Sequence, residues 1–152
     1  MKYKKLIINI IIPLLVGGIS SLLTYQNMSI YQTINQPPLA PPSWLFPIVW
    51  TLLYILMGIS SYYVYISNSA HKETALIVYF FQLLINFVWP IIFFNYQNYL
   101  LALLDLIVLI ILVIMMIYIF KMINITSGYL NIPYLIWLLF ALYLNFYIFI
   151  YN

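Results

Sequence analysis

The sequence predicts an all-α integral membrane protein, a bundle of five transmembrane helices in a single domain spanning 1–152. Three observations carry this. Of 152 residues, 67% are hydrophobic and only 5% charged, whereas soluble domains are about 25% charged; such a surface is solvated by lipid. The apolar residues fall into five runs, each near the roughly 20 residues a helix needs to cross the hydrocarbon core. Threading five runs through a bilayer puts all five lysines, Lys2, Lys4, Lys5, Lys72 and Lys121, on one side.

The runs are residues 6–25, 44–66, 75–94, 99–122 and 129–150. The first follows Lys2, Lys4 and Lys5 and continues past Gly17 and Gly18 with no small-residue cleavage site, so it is expected to be a retained span and not a removed signal sequence. Gly17 and Ser21 form a small-xxx-small pair, expected to make a close helix contact within the bundle or, as the alternative, between protomers. The break at 26–43 is the longest and holds Pro37, Pro38, Pro41 and Pro42. His71, Lys72 and Glu73 mark the next break. The third run carries Pro90 near its end, which should bend the helix and free a carbonyl. A very short turn at 95–98 leads to the fourth run, and Lys121 precedes the last break. Five crossings place the termini on opposite sides. The positive-inside rule then makes the N-terminus cytoplasmic, with the Pro-rich loop and the C-terminus outside.

Several function classes drop out. Cysteine is absent, which excludes disulfides, thiolate metal sites and thiol nucleophiles. The scattered lysines form no basic stripe, so nucleic acid is not an expected partner. No internal repeat of the transporter kind is evident. His71 is the only histidine and reads as a solvated loop residue. No acid–base pair, metal cluster or activated nucleophile emerges, so neither ordinary polar catalysis nor a required cofactor is expected.

What the bundle holds inside is the more informative question. The chain has 16 Tyr, 10 Phe and 4 Trp; such rings either anchor a protein at the membrane interface or line a cavity. Pro47, Trp50, Tyr54, Met57 and Ser61 recur at steps of three and four, as do Gln82, Asn86, Trp89 or Pro90, and Phe93; Pro133, Trp137, Ala141 and Asn145 are spaced by four. Each set stacks along one helical face. The amides of Gln82, Asn86 and Asn145 need partners in hydrocarbon and should point inward. In the five-span topology Trp50, Tyr54, Asn86, Trp89 and Asp105 fall in the outer half, with Trp137 nearer the midplane. Two arrangements satisfy this pattern: helix packing held by amides, or an apolar pocket with a few polar fixings under the Pro-rich loop. Asp105 is the only acid inside a span, about six residues or about 9 Å from its outer end at about 1.5 Å per residue. It reads either as a functional intramembrane acid or as a structural acceptor bonded to a helix end or a tyrosine.

The segment Pro41-Pro42-Ser43-Trp44-Leu45-Phe46-Pro47-Ile48-Val49-Trp50-Thr51-Leu52-Leu53-Tyr54, continuing to Leu56-Met57-Gly58-Ile59-Ser60, closely resembles the signature of the tryptophan-rich sensory protein / translocator protein family (TspO/MBR, peripheral-type benzodiazepine receptor). Further matching blocks follow in order. They are Gln82 to Asn86 with Trp89, Ala102 to Asp105, Ile132 to Trp137, and Phe140 to Asn145. The resemblance covers almost the whole chain. It implies a five-helix fold that binds tetrapyrroles and, in some members, sterols or isoquinoline and benzodiazepine ligands, and it implies a homodimer. The implied ligand contacts are Tyr31, Pro42, Trp50, Tyr54, Asn86, Trp89, Trp137 and Ala141. Trp50 and Trp137 match tryptophans tied to light-dependent porphyrin breakdown in some members. Ile30, Leu39, Gln36 and Pro47 depart from residues the family usually has there. No Lys or Arg follows Tyr143, so the proposed sterol motif is incomplete.

The expected function is therefore that of a membrane receptor for a flat apolar ligand, a porphyrin above all, bound in an aromatic pocket under the first loop. The alternatives are a protein that degrades porphyrin under light and a transporter of porphyrin or lipid-like ligands. The expected partners are that ligand, membrane lipid and a second copy of the chain. The expected location is a bacterial plasma membrane.

Overall fold

The computed structural model describes residues 2–152; Met1 and the side chain of Lys2, one of the lysines counted above, lie outside the described residues. Five helical stretches are long and apolar enough to cross a membrane, and no strand occurs among the described residues. The first is α1 (Lys2–Thr24), prolonged by a 3-10 helix over Tyr25–Gln32. Next come α2 (Leu45–Tyr65) and α3 (Lys72–Pro90), the latter continuing as a π-helical turn over Ile91–Asn95. The fourth is α4 (Tyr99–Ile123), and the fifth combines a short α5 (Ile125–Tyr129) with α6 (Ile132–Tyr151).

Local chemistry explains where these elements start and stop. The segment after α1 stays helical because it contains neither Pro nor Gly; the first proline beyond α1 is Pro37. Helix α3 starts at Lys72, before the apolar run, with Glu73 in its first turn, where an acid favours the helix dipole. Pro90 has no N–H to give to the ladder, and the chain just beyond it widens: Tyr96 N–H donates to Ile91 O at 3.2 Å, a π-type bond. The bend expected at Pro90 thus takes the form of a π turn. Gln97 then adopts a left-handed φ of 50°, and Asn98 Oδ1 caps α4 by accepting from Leu101 N–H at 3.0 Å. Asn124 caps α5 in the same way, accepting from Ser127 N–H at 3.0 Å. Pro133 occupies the first turn of α6, a position where its missing N–H costs nothing.

Lipid tails give helices no hydrophobic reason to associate, so close packing and interhelical hydrogen bonds hold the bundle. The closest backbone packing lies in the lysine-bearing half, with hydrogen bonds beside it. A Cβ at Gly58 of α2 would lie 2.5 Å from Ile10 Cα and 2.7 Å from Asn9 O, so α1 and α2 touch backbone to backbone there. Beside that contact Ser61 Oγ donates to Asn9 Oδ1 at 3.1 Å. Ser127 Oγ donates to Ser60 O at 2.8 Å and Asn131 Nδ2 to Ser60 Oγ at 2.6 Å, which pins α5 and the start of α6 to α2. Met57, Val64, Val113, Met116 and Phe120 are fully buried between these contacts. At this end Lys5 and Lys72 both sit over the Tyr65 ring, at 5.6 and 5.1 Å, and Lys121 sits over Tyr129 at 4.6 Å. The outward faces are apolar: Leu22, Phe80 and Ile136 are all well exposed, as lipid-facing residues would be. The molecule is an integral membrane protein.

Candidate functional site: an aromatic chamber in the lysine-free half

Away from the lysines the helices separate around a cavity of about 360 Å³, within the size range of small-molecule sites. Every one of the five crossings contributes to its wall.

The floor is a relay of hydrogen bonds. Tyr54 OH donates to Asn86 Oδ1 at 2.7 Å, Asn86 Nδ2 donates to Tyr134 OH at 2.6 Å, and Tyr134 OH donates to Gln82 Oε1 at 2.9 Å. Gln82 Nε2 closes the chain on Met57 Sδ at 3.9 Å. The relay ties α2, α3 and α6 together and satisfies the buried amides. Asn86 has spent one amide hydrogen and one lone pair; a carboxamide has two of each, so one donor and one acceptor remain on a residue that lines the chamber. The choice between amide-held packing and a pocket is not exclusive in this molecule: the same asparagine takes part in both.

The walls are rings. Trp50 stacks on Tyr54 with centroids 5.5 Å apart and meets Tyr134 edge-on at 6.1 Å. Phe46 stands edge-on to Trp137 at 5.9 Å and to Tyr31 at 5.2 Å. Trp89 stacks on Phe93 at 4.9 Å. Its indole is further fixed because Nε1–H donates to Asn145 Oδ1 at 3.1 Å, while Asn145 Nδ2 donates to Tyr99 O at 2.9 Å. Pre-oriented rings lose little freedom when a flat ligand binds between them.

The roof is the long first loop. Tyr31 is buried beneath it and donates its hydroxyl to Pro41 O at 3.1 Å; Gln36 Nε2 donates to Tyr31 O. Asn35 N–H donates to Asn152 Oδ1 at 2.9 Å and Asn35 Nδ2 to Tyr151 O at 3.0 Å. The return bond, Asn152 Nδ2 to Asn35 O, is 3.2 Å.

The structure therefore gathers Tyr31, Trp50, Tyr54, Asn86, Trp89, Trp137, Ala141 and Asn145 around one chamber. Two of the residues singled out in the sequence sit elsewhere. Pro42 lies in the roof and borders a separate shallow hollow beside Gln36 and Pro41. Asp105 is half-buried on α4 away from the chamber, whose α4 lining is Leu106 and Leu109; its Oδ2 is buried with no hydrogen-bond partner, so the expected bond to a helix end or tyrosine is not made by that oxygen. The small-residue pair also divides: Gly17 packs against the Tyr54 ring within the bundle, whereas Ser21 is exposed at the chamber's edge. The α1 lining, Leu14 to Thr24, carries no aromatic or amide marker. Its spaced Gly and Ser residues were the available signal.

Fold and cavity together define a five-crossing helical membrane bundle with a roofed aromatic chamber in one half. The model of the TspO/MBR family matches residues 9–151, and the chain belongs to that family. Among its relatives is the tryptophan-rich protein TspO of Archaeoglobus fulgidus, 38% identical over 100% of this chain and 99% of the relative. The tryptophan-rich protein TspO of Chlorobaculum tepidum is 35% identical over 76% of this chain and 75% of its own length. The tryptophan-rich sensory protein of Cereibacter sphaeroides is 34% identical over 76% of this chain and 72% of its own length.

Proposed function

We propose that the protein is a membrane receptor that holds a flat, largely apolar ligand, with porphyrins as the leading class and isoquinoline- or benzodiazepine-type molecules as synthetic counterparts. The observation that carries this reading is the ring geometry. Phe46, Trp50, Trp89, Phe93 and Trp137 all line the one chamber, with Phe46 edge-on to Trp137 and the anchored Trp89 stacked on Phe93. Aromatic faces favour a planar ring system, and each aromatic pair is worth about 0.5–1.5 kcal/mol beyond area burial. Asn86, held by the relay, supplies a fixed donor and acceptor to orient the ligand. No lysine is among the lining residues, so the carboxylates of a porphyrin stay at the headgroup level while its ring occupies the chamber. By the positive-inside rule the lysine end faces the cytoplasm and the chamber lies in the outer leaflet of the plasma membrane.

The test is a titration of the purified protein with protoporphyrin IX, followed by tryptophan quenching. Replacing Trp50→Phe and Trp137→Phe together is expected to weaken affinity by about tenfold, about 1.4 kcal/mol. Unchanged affinity would remove the stacking model.

A further inference from the structure

We propose that the chamber is entered sideways, from the bilayer through a portal between α1 and α2, and not from water through the roof.

The roof is tied down. Three hydrogen bonds join Asn35 to Tyr151 and Asn152 at the end of α6, at 2.9, 3.0 and 3.2 Å. A fourth, from Tyr31 OH to Pro41 O, closes the loop on itself. Opening that route means breaking the set together.

The side is different. One face of α2 runs Ser61, Gly58, Tyr54, Thr51, Pro47 at steps of three and four, and its lower members fix what it faces. Ser61 bonds Asn9 of α1, Gly58 abuts the Ile10 backbone, and Tyr54 lies on Gly17. Thr51 and Pro47 continue the same stripe one and two turns higher, so they also face α1. Yet both are exposed, although both line the chamber. Across from them Ser21 of α1 is likewise exposed and likewise lines it. A Cβ placed on Gly18 would meet no atom within 4 Å. Helices in backbone contact at Gly58 have thus parted by the level of Thr51, with the Tyr54–Gly17 contact as the sill.

The portal faces lipid. It is flanked by Leu22, Ile48 and Leu52, which are 78%, 52% and 58% exposed on helices that cross the membrane. Its one hydroxyl on α2 is internally satisfied, Thr51 Oγ1 donating to Pro47 O at 2.7 Å, so the α2 side of the rim shows a methyl and a proline ring to the hydrocarbon, and Ser21 is the polar group on the α1 side. A molecule already dissolved in the bilayer reaches the chamber through such an opening without recrossing water. A charged, water-soluble molecule of equal size would have to shed its hydration to do so. The ligand class implied is therefore one that partitions into lipid first, and the inference rests on the chamber's geometry, not on which ligand fills it.

The chain lacks cysteine, so Ala141→Cys places a single thiol on the chamber wall. In nanodiscs, N-phenylmaleimide dissolved in the lipid is expected to label that thiol about tenfold or more faster than a sulfonated maleimide in the water phase. Adding Thr51→Trp, or Ser21→Trp from the opposite jamb, should slow the lipid-borne reagent by about tenfold, a barrier change set by the usual rate relation. Adding Asn152→Ala, which removes every bond between the Asn152 side chain and Asn35, should leave both rates as they were. The two plugging positions are lipid-facing, so at least one tolerates an indole; unfolding midpoints identify a misfolded variant. The proposal is overturned if the sulfonated reagent keeps pace and Asn152→Ala accelerates it. It is equally overturned if neither plug changes the rate, or if the thiol reacts only after unfolding in detergent. None of these outcomes depends on whether porphyrin is the ligand.

Discussion

Asn86 takes part both in holding the bundle together and in lining the chamber. Its side chain accepts from Tyr54 and donates to Tyr134, binding α2 and α6 to α3, and it also borders the chamber. Replacing Asn86→Leu strips the acceptor from the Tyr54 hydroxyl, which stays buried. A lost buried hydrogen bond costs about 1–3 kcal/mol in general, and interhelical bonds in membranes average nearer 0.6, with a maximum of about 1.7 kcal/mol. The expected loss is thus about 1–2 kcal/mol of stability, read as a lower unfolding midpoint in detergent, together with weaker porphyrin binding. An unchanged midpoint would show that Tyr54 finds another partner. The inward amides at Gln82, Asn86 and Asn145 were legible in the sequence because a carboxamide in hydrocarbon has few places to go. Their partners were not. That Trp89 is anchored by Asn145, and Asn145 by the Tyr99 carbonyl, depends on the relative rotation of three helices, which periodicity within one helix does not specify. Asp105 shows the same limit from the other side: as the single intramembrane acid it stood out in the sequence, yet its helix turns it away from the chamber.

At the scale of the elements, α1 and α2 diverge from one tight contact. Adding a methyl at Gly58 would drive it into the Ile10 and Asn9 backbone, which cannot rotate away as a side chain would. Gly58→Ala is expected to cost about 1–3 kcal/mol, the usual range for overpacking. Gly18→Ala, facing open space, should stay within about 0.5 kcal/mol. Unfolding midpoints of the two variants decide this; equal shifts would mean that α1 and α2 do not meet where described. The five crossings themselves were readable from apolar run length, and their boundaries moved by only a few residues. What moved had a local cause. The π turn follows Pro90, a 3-10 helix occupies the Pro-free start of the long loop, and Asn124 starts a separate short helix before α6. The Gly17–Ser21 spacing announced a close contact but not that only Gly17 would make it, since Ser21 lies past the point where the helices part.

For the whole molecule, the two halves follow one logic. The lysine-bearing half is closed by Gly58, the Ser60–Ser127–Asn131 cluster and a fully buried core; the other half trades that packing for a ring-lined space. Rigidity at one end lets the helices hold a cavity at the other. The proposed orientation rests on the lysines, and single cysteines check it. Gln36→Cys should react with an impermeant thiol reagent on intact cells, and Ser69→Cys only after permeabilisation; the reverse pattern would invert the assignment. The count of the spans was legible in composition and apolar run length, which act on the chain as a whole. The chamber needed the structure, because it forms where five faces meet and α1 brings only small and aliphatic residues to it. The measurement closest to the central claim is porphyrin binding after the chamber is filled. Ala141→Trp adds an indole to the wall between Trp137 and Asn145. If the chamber is the ligand site, protoporphyrin IX affinity falls by about a hundredfold, about 2.7 kcal/mol, with the unfolding midpoint unchanged or raised. Full affinity in a folded Ala141→Trp variant would place the ligand elsewhere and contradict the account.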